Sequence, residues 1–248
     1  FVLSRAIVRD MVPAAQAASM IGYVTMGMSL VPMVAPVIGG ALEGAFGWQA
    51  TFVFLALSGI GLLALLWADQ GETIKGKGAS FAQQLRDYPE LLTSRRFWGY
   101  VFAAAFASGA FFAFLGGAPY VASKVYGLSS VWAGVAFGAP AIGYAIGNFR
   151  SGRYSVRVGI NRMVLYGSIV TVIGLGISIL ITAAGFGSPW VFFGFSCFVG
   201  LGNGMTIPNA TSGLLSVRPH LAGSASGLGS AIMIGGGAAL SVFAGIVL

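Results

Sequence analysis

Charged residues are scarce in this chain. Only 8% of its 248 residues are charged, whereas 57% are hydrophobic, and a soluble domain carries roughly 25% charged residues. This composition excludes a soluble fold. Cysteine is also nearly missing: Cys197 has no second thiol with which to form an internal disulfide, and we predict that it packs as a small apolar side chain.

Side chains for catalysis are equally few. His220 is the only histidine. The acids are Asp10, Glu43, Asp69, Glu72, Asp87 and Glu90. None of the acids lies in the middle of an apolar run, so no metal cluster, acid pair or nucleophile with its base is visible. We expect no enzyme activity, no metal and no cofactor, since the glycines at 200, 202 and 204 stand inside an apolar run and not at a strand-to-helix turn.

Long uncharged runs are what the chain has instead. About 20 helical residues cross ~30 Å of hydrocarbon. The runs predict seven spans, which we number in chain order: 18–40, 48–68, 97–117, 128–149, 163–184, 190–212 and 222–246. Glycine, serine and proline at 185–189 separate the fifth span from the sixth. The fold class is therefore an all-α polytopic membrane protein. We interpret residues 1–8 as the end of an earlier helix and the chain as a fragment.

Basic residues sort to one side of these spans. Threading the chain through seven spans leaves only Lys124 on one face, and the other twelve of the thirteen Lys and Arg residues on the opposite face. Because basic loops are retained in the cytoplasm, the sorting predicts a multi-pass protein of the cell (inner) membrane with its basic loops inside. The same charges, spread over loops, give no indication of nucleic-acid binding.

A basic linker divides the chain. Residues 69–96 hold nine of the nineteen charged residues, which predicts a cytoplasmic linker between the end of one bundle, 1–68, and a second bundle, 97–248. The alternative is a regulatory or partner-binding loop. Residues 80–92 are predicted to form a surface helix with Leu85, Leu91 and Leu92 facing the membrane.

Several short motifs are distinctive. They are Arg5-Ala-Ile-Val-Arg9-Asp10, Pro32-x-x-x-Pro36-x-x-Gly39-Gly40, Gly47-Trp48-Gln49-x-x-Phe52, Pro208-Asn209-Ala210-Thr211 and His220-Leu-Ala-Gly223-Ser-Ala-Ser226. In this order the chain resembles the bicyclomycin-resistance (Bcr/CflA) type of drug:proton antiporter of the major facilitator superfamily. The resemblance implies helices 5 to 11 of that fold after the end of helix 4, joined as two helical bundles. It also implies a monomer in the lipid bilayer, protons as the coupling ion and a coupling carboxylate upstream of Phe1.

Two motifs have a physical interpretation as gates. Prolines bend a helix and glycines admit a neighbouring backbone, so Pro32, Pro36, Gly39 and Gly40 predict a bent, closely packed gate in the first span. A kinked packing helix is the alternative.

The second motif lies between the fourth and fifth spans and looks like the superfamily's cytoplasmic loop signature. Gly152 and Gly159 are predicted to form a tight turn there. Arg157 and Arg162 are predicted to latch neighbouring helices through carbonyls at helix ends. Val156 stands at the signature's usual acidic position, so the latch lacks its charge pair, and plain anchoring is the alternative for Arg153 and Arg162.

Glycine is abundant, with 39 residues. Small residues four apart favour close helix contacts in membranes. We predict such contacts at Gly134/Gly138, Gly143/Gly147, Gly200/Gly204 and Gly223/Gly227.

Aromatic, methionine and amide side chains remain for substrate contact. The candidates for the substrate cavity are Tyr23, Met26, Phe106, Phe111, Phe114, Tyr144, Asn148, Asn203 and Asn209. Flat rings and methionine suit lipophilic molecules, and a buried amide needs a partner; helix packing or lipid contact is the alternative for each aromatic. The predicted function is proton-coupled efflux of drug-like or amphiphilic small molecules by alternating access. A dedicated metabolite exporter and a non-transporting receptor or scaffold are the alternatives.

Overall fold

The computed structural model describes residues 44–69, 88–218 and 221–247, together with positions 31, 38, 39 and 42. No strand occurs among these residues. The chain divides into two compact units, Phe1–Ala79 and Ser80–Leu248, and the division falls inside the predicted linker.

The first unit contributes one long helix, α1 (Gln49–Asp69). Before it, Gly47 has a φ of +82°, and the Trp48 ring packs edge-on against Phe52 with centroids 5.8 Å apart. No residue of α1 is buried, although its surface is apolar all round. A helix of this kind is stable only when lipid or other apolar surface covers it.

The second unit holds five helices in its described part. They are α2 (Arg95–Tyr120), α3 (Ser130–Val158), α4 (Ile160–Ile181), α5 (Pro189–Val217) and α6 (Ala222–Val247). Turns of π-helix, Val121–Val125 and Thr182–Phe186, extend α2 and α4. Serine side chains cap two of the helix starts: Ser94 Oγ accepts from the Phe97 amide at 3.4 Å, and Ser188 Oγ accepts from the Val191 amide at 3.3 Å.

Single glycines make the tight turns. Gly159 has a φ of +89° and alone separates α3 from α4, while Gly185 has a φ of +87° before α5. The prediction that Gly152 shares in the first turn is wrong, because α3 remains helical through Val158 and Gly152 is an exposed residue within it. One residue with positive φ is sufficient to reverse the chain.

Helix α5 is the central element of the second unit. It packs against α3 and α4 along much of its length and against α2, whereas α6 packs mainly on α2. The helices run alternately up and down, so the start of α2, the α3–α4 turn and the end of α5 share one end. Seven arginines lie there, and we call it the arginine-rich end: Arg95, Arg96, Arg150, Arg153, Arg157, Arg162 and Arg218. Lys124 lies at the opposite end.

Five helical segments are long and apolar enough to cross a membrane: Gln49–Asp69, Arg95–Val125, Ile160–Phe186, Pro189–Val217 and Gly223–Val247. They correspond to five of the seven predicted spans. The span predicted at 128–149 is helical as part of α3, but it is not among the five, and α3 is the least apolar of the six helices described. The span predicted at 18–40 lies almost entirely outside the described residues.

Residues 88–92 form one helical turn that belongs to the second unit. The prediction that Leu91 faces the membrane is wrong. Leu91 is fully buried in a cluster with Phe97, Val101 and Leu214. Arg218 Nε pairs with Glu90 Oε1 at 2.6 Å, joining the same turn to the end of α5. The last part of the predicted linker is therefore packed structure.

Candidate functional site

Helix α5 carries a row of buried polar side chains. Ser196, Asn203, Thr206 and Asn209 are each at most 3% exposed. Polar groups at the depth of a membrane span are costly unless they find partners, and they mark sites of packing or of substrate passage. The geometry around α5 distinguishes these roles for Asn203 and Asn209.

Reciprocal glycines bring α3 and α5 into backbone contact. A Cβ on Gly143 would overlap the Cys197 carbonyl, and one on Gly200 would overlap the Pro140 carbonyl. Gly147 and Gly204 repeat the arrangement one turn further along, against Leu201 and Tyr144. The predicted close contacts of Gly143/Gly147 and Gly200/Gly204 are confirmed, and the two pairs contact each other.

The other two glycine pairs have no such neighbours. Within 4 Å of the Cβ positions of Gly134, Gly138, Gly223 and Gly227 there is no atom in the described part of the chain. The predicted close contacts at these pairs are wrong for the helices described, because spacing identifies a possible groove but not the helix that would fill it.

A second glycine contact joins α5 to α4. A Cβ on Gly167 would meet Thr206 and the Gly202 carbonyl, and one on Gly202 would meet Thr171. Thr171 Oγ1 lies 3.2 Å from the carbonyl of Gly167 and 3.4 Å from that of Phe198. The Thr171 hydroxyl thus has carbonyl acceptors on both helices, and the backbones of α4 and α5 remain close together.

Two of the predicted cavity residues lie at the α3–α5 contact. Tyr144 and Asn148 lie against Gly204, the residue that follows Asn203. Asn148 Nδ2 donates to the Tyr144 carbonyl at 2.9 Å, a bond within α3. Asn203 differs from Asn148 because its Oδ1 is buried and has no hydrogen-bond partner among the described residues. An unpaired buried acceptor is uncommon and costs stability.

Asn209 is a satisfied interhelical link. Its Nδ2 donates to Ser151 Oγ at 2.7 Å and to the Met205 carbonyl at 2.8 Å. Ser151 in turn lies 3.2 Å from Ser155 Oγ. Ser151 was not predicted, because it stands between Arg150 and Gly152 in a segment that sequence patterning assigned to the loop; its spacing three residues after Asn148 is the only signal for it.

The predicted aromatic residues fall into separate environments. Phe106 is 68% exposed and ends a ladder on α2, in which Trp98 and Phe102 stack at 5.2 Å and Phe102 and Phe106 follow at 6.1 Å. Phe114 is half-buried and contacts the rings of Phe137, Phe192 and Phe193 at about 6 Å. Phe111 touches Phe112. The ladder presents apolar surface, whereas the cluster around Phe114 joins α2, α3 and α5.

Several predicted residues lie outside the described residues: Tyr23, Met26, Pro32, Pro36 and Gly40. Gly39 is helical and half-buried, and no described atom lies within 4 Å of its Cβ position. Arg157 and Arg162 are exposed, and neither donates to a helix-end carbonyl of the described segments. Their roles in gating stay predictions.

Two cavities in the described part of the chain contain none of the predicted cavity residues. One, of about 470 Å³, is apolar and lies beside α1 at Phe46, Val53 and Leu57. The other, of about 210 Å³, lies at the arginine-rich end between α2, α4 and α5. No group of three or more potential metal ligands occurs in the described ranges.

Known proteins match nearly the whole chain. A sequence profile of the Major Facilitator Superfamily matches residues 1–242. The bicyclomycin resistance protein homolog of Haemophilus influenzae is 29% identical over 232 residues, 92% of this chain and 58% of that protein. Multidrug resistance protein D of Escherichia coli is 26% identical over 98% of this chain and 61% of its own length. The multidrug transporter MdfA of Yersinia pestis is 32% identical over 60% of this chain and 37% of its own length. The chain thus spans less than two thirds of the relatives that it matches.

Proposed function

Because this chain belongs to the major facilitator superfamily, we propose that it is part of a transporter that exports drug-like or amphiphilic small molecules in exchange for protons. The observation that carries the proposal is the family match over residues 1–242, together with relatives named for bicyclomycin and multidrug resistance. Two helical bundles, one on each side of the segment 69–96, would alternate access to a central site.

The orientation of the chain is part of the proposal. We place the arginine-rich end in the cytoplasm, because arginine is retained there during insertion. Arg157 and Arg162 then lie at the inner mouth, where they would either latch neighbouring helices or anchor the loop. The transporter would function as a monomer in the inner membrane.

Asn203 is the side chain that we assign to substrate contact. Its Oδ1 accepts no hydrogen bond from the described residues, unlike the amides of Asn148 and Asn209, which are bonded. A buried acceptor without a partner in one conformation is available to a donor in another, when the bundles separate and the substrate enters. A ring such as that of Phe106 would supply apolar surface.

A dedicated metabolite exporter is the second candidate. The same unpaired amide favours it, because a site built to hydrogen-bond one substrate group rejects molecules that lack it. The two candidates differ in breadth: a drug exporter accepts many lipophilic compounds, and a metabolite exporter accepts one.

The test is efflux from cells that express the protein over a panel of lipophilic dyes and drugs, with and without a protonophore. We expect lower accumulation of several unrelated compounds on expression, and loss of that effect with the protonophore. Export of a single metabolite and no drug would favour the second candidate. Efflux that survives the protonophore would refute proton coupling.

A further inference from the structure

The cavity at the arginine-rich end has two lining groups with hydrogen-bond donors available, the Arg96 guanidinium and the Asn161 amide. The Ser216 hydroxyl, also in the lining, donates to the Gly213 carbonyl at 2.7 Å. Arg96, Tyr100, Ile160, Asn161, Ser216 and Val217 surround about 210 Å³. This volume is below the roughly 300–1,000 Å³ of pockets for drug-sized ligands. The cavity therefore suits an occupant smaller than a drug-sized ligand.

A hydrogen bond fixes the direction in which Asn161 presents its amide. Tyr100 Oη donates to Asn161 Oδ1 at 2.5 Å, which occupies the amide oxygen. The Nδ2 group of Asn161 accepts nothing and has two protons to donate. Tyr100 is itself held in place, because its ring covers Gly213 of α5.

Arg96 adds a positive charge to an end with few carboxylates among its described residues. No acidic residue follows Glu90 in the sequence, and Glu90 pairs with Arg218. Among the described residues of this unit, the arginine-rich end thus has seven arginines and one carboxylate, that of Glu90. Guanidinium and amide donors converging on a small cavity match the oxygens of a phosphate group.

The depth of the cavity favours a lipid as the source of that phosphate. Trp98, two residues from Arg96, donates from Nε1 to the Leu92 carbonyl at 2.7 Å, and tryptophan is enriched at the level of lipid headgroups. Beyond the cavity, α4 continues with the apolar side chain of Leu165, which is 55% exposed and lies one turn after Asn161. An acyl chain would lie against such a surface.

We propose that Arg96 and Asn161 bind a phosphate group in this cavity, carried by an anionic phospholipid at the arginine-rich end. None of the residues that line the cavity belongs to the proposed substrate contact. Tyr100 acts as a positioning residue for the Asn161 amide. Free phosphate has the same chemistry and is the other source to be distinguished.

The test uses the purified full chain in a neutral detergent, with native mass spectrometry to measure retained lipid. We expect phosphatidylglycerol to be retained more strongly than phosphatidylcholine. Arg96→Gln should weaken retention about tenfold, the loss of one charge-assisted contact. Asn161→Asp should abolish it, because the new carboxylate keeps the acceptor for Tyr100 but repels an anion.

Arg95→Gln is the matched control, since it removes the same charge from the neighbouring exposed residue that does not line the cavity. It should leave retention within about twofold. Tyr100→Phe, which keeps the ring over Gly213, should weaken retention without a change in the thermal midpoint of the lipid-free protein.

Addition of millimolar inorganic phosphate distinguishes a lipid headgroup from free phosphate as the bound group. If it displaces the lipid and is bound with the same dependence on Arg96, the phosphate chemistry is supported with the free ion as ligand. Equal weakening by Arg95→Gln and Arg96→Gln would mean general attraction to a basic surface and overturn the site. Equal retention of both lipids would overturn it as well.

Discussion

Four glycines allow α3 and α5 to touch through their backbones: Gly143, Gly147, Gly200 and Gly204. At each of them, the Cβ of any other residue would overlap backbone atoms of the facing helix. The obstacle is carbonyl oxygen and main-chain nitrogen, not the end of a flexible side chain. Such a contact has no way to yield by a rotamer change. These positions therefore differ physically from glycines such as Gly109, whose Cβ would meet only Leu240.

Gly200→Ala is expected to lower the stability of the protein by roughly 3 kcal/mol, the upper end of the cost of overpacking. Thermal unfolding in detergent measures it. Gly134→Ala is the control, because its Cβ meets nothing and alanine favours a helix over glycine by about 0.5–1 kcal/mol. A Gly200→Ala protein as stable as the control would contradict the backbone contact.

Asn203→Leu is expected to leave stability unchanged or to raise it, because leucine removes an unsatisfied acceptor. Efflux should nevertheless fall about tenfold, the equivalent of one lost hydrogen bond. Asn209→Leu should instead lower stability by roughly 1 kcal/mol, since it breaks the bond to Ser151. Normal export by a well-expressed Asn203→Leu variant would exclude Asn203 from substrate contact.

At the level of elements, the sequence was sufficient to predict that the helices exist. It was not sufficient to predict which helix packs against each helix face. Uncharged length placed α1, α2, α4, α5 and α6 within a few residues of their observed bounds, because hydrocarbon thickness imposes that length. The glycine spacing is the same at Gly143, which contacts α5, and at Gly134, whose Cβ position has no described atom within 4 Å. The spacing alone therefore does not identify the contact. That choice depends on how the helices cross, which is a property of the whole bundle.

The candidate site shows the same limit. Buried amides on α5 were predicted from their type, since a polar group in an apolar run needs a reason. Which amide is satisfied depended on Ser151, a residue of another helix 58 positions away from Asn209. The burial of Leu91 was missed for a similar reason: a leucine in a charged segment has the same local pattern whether it faces lipid or the bundle.

The α3–α4 turn offers a test at the level of an element. Gly159→Ala should cost roughly 1–3 kcal/mol, because a Cβ is strained at a φ of +89°. Gly152→Ala, seven residues earlier on an exposed face of α3, should stabilise by about 0.5–1 kcal/mol. Thermal midpoints of the two variants are compared directly. If Gly152→Ala destabilises the protein, Gly152 takes part in the turn and its place within α3 is contradicted.

For the whole molecule, charge sorting predicts sidedness. On a Cys197→Ser background, single cysteines at Lys75 and Arg157 should react with a membrane-impermeant reagent from the cytoplasmic side only. Cysteines at Lys124 and Ser188 should react only from outside. Labelling of positions 124 and 157 from the same side would contradict the passage of α3 through the membrane.

The central position of α5 also governs the order in which the bundle can be assembled during synthesis. Helices α3 and α4 have few contacts with each other, and each packs mainly against α5. Both are nevertheless synthesised before α5. The glycine grooves at Gly143 and Gly167 therefore stay open while the ribosome completes the next stretch of chain. Until Pro189–Val217 enters the bilayer, lipid or the insertion machinery can cover the faces of α3 and α4 that later contact α5.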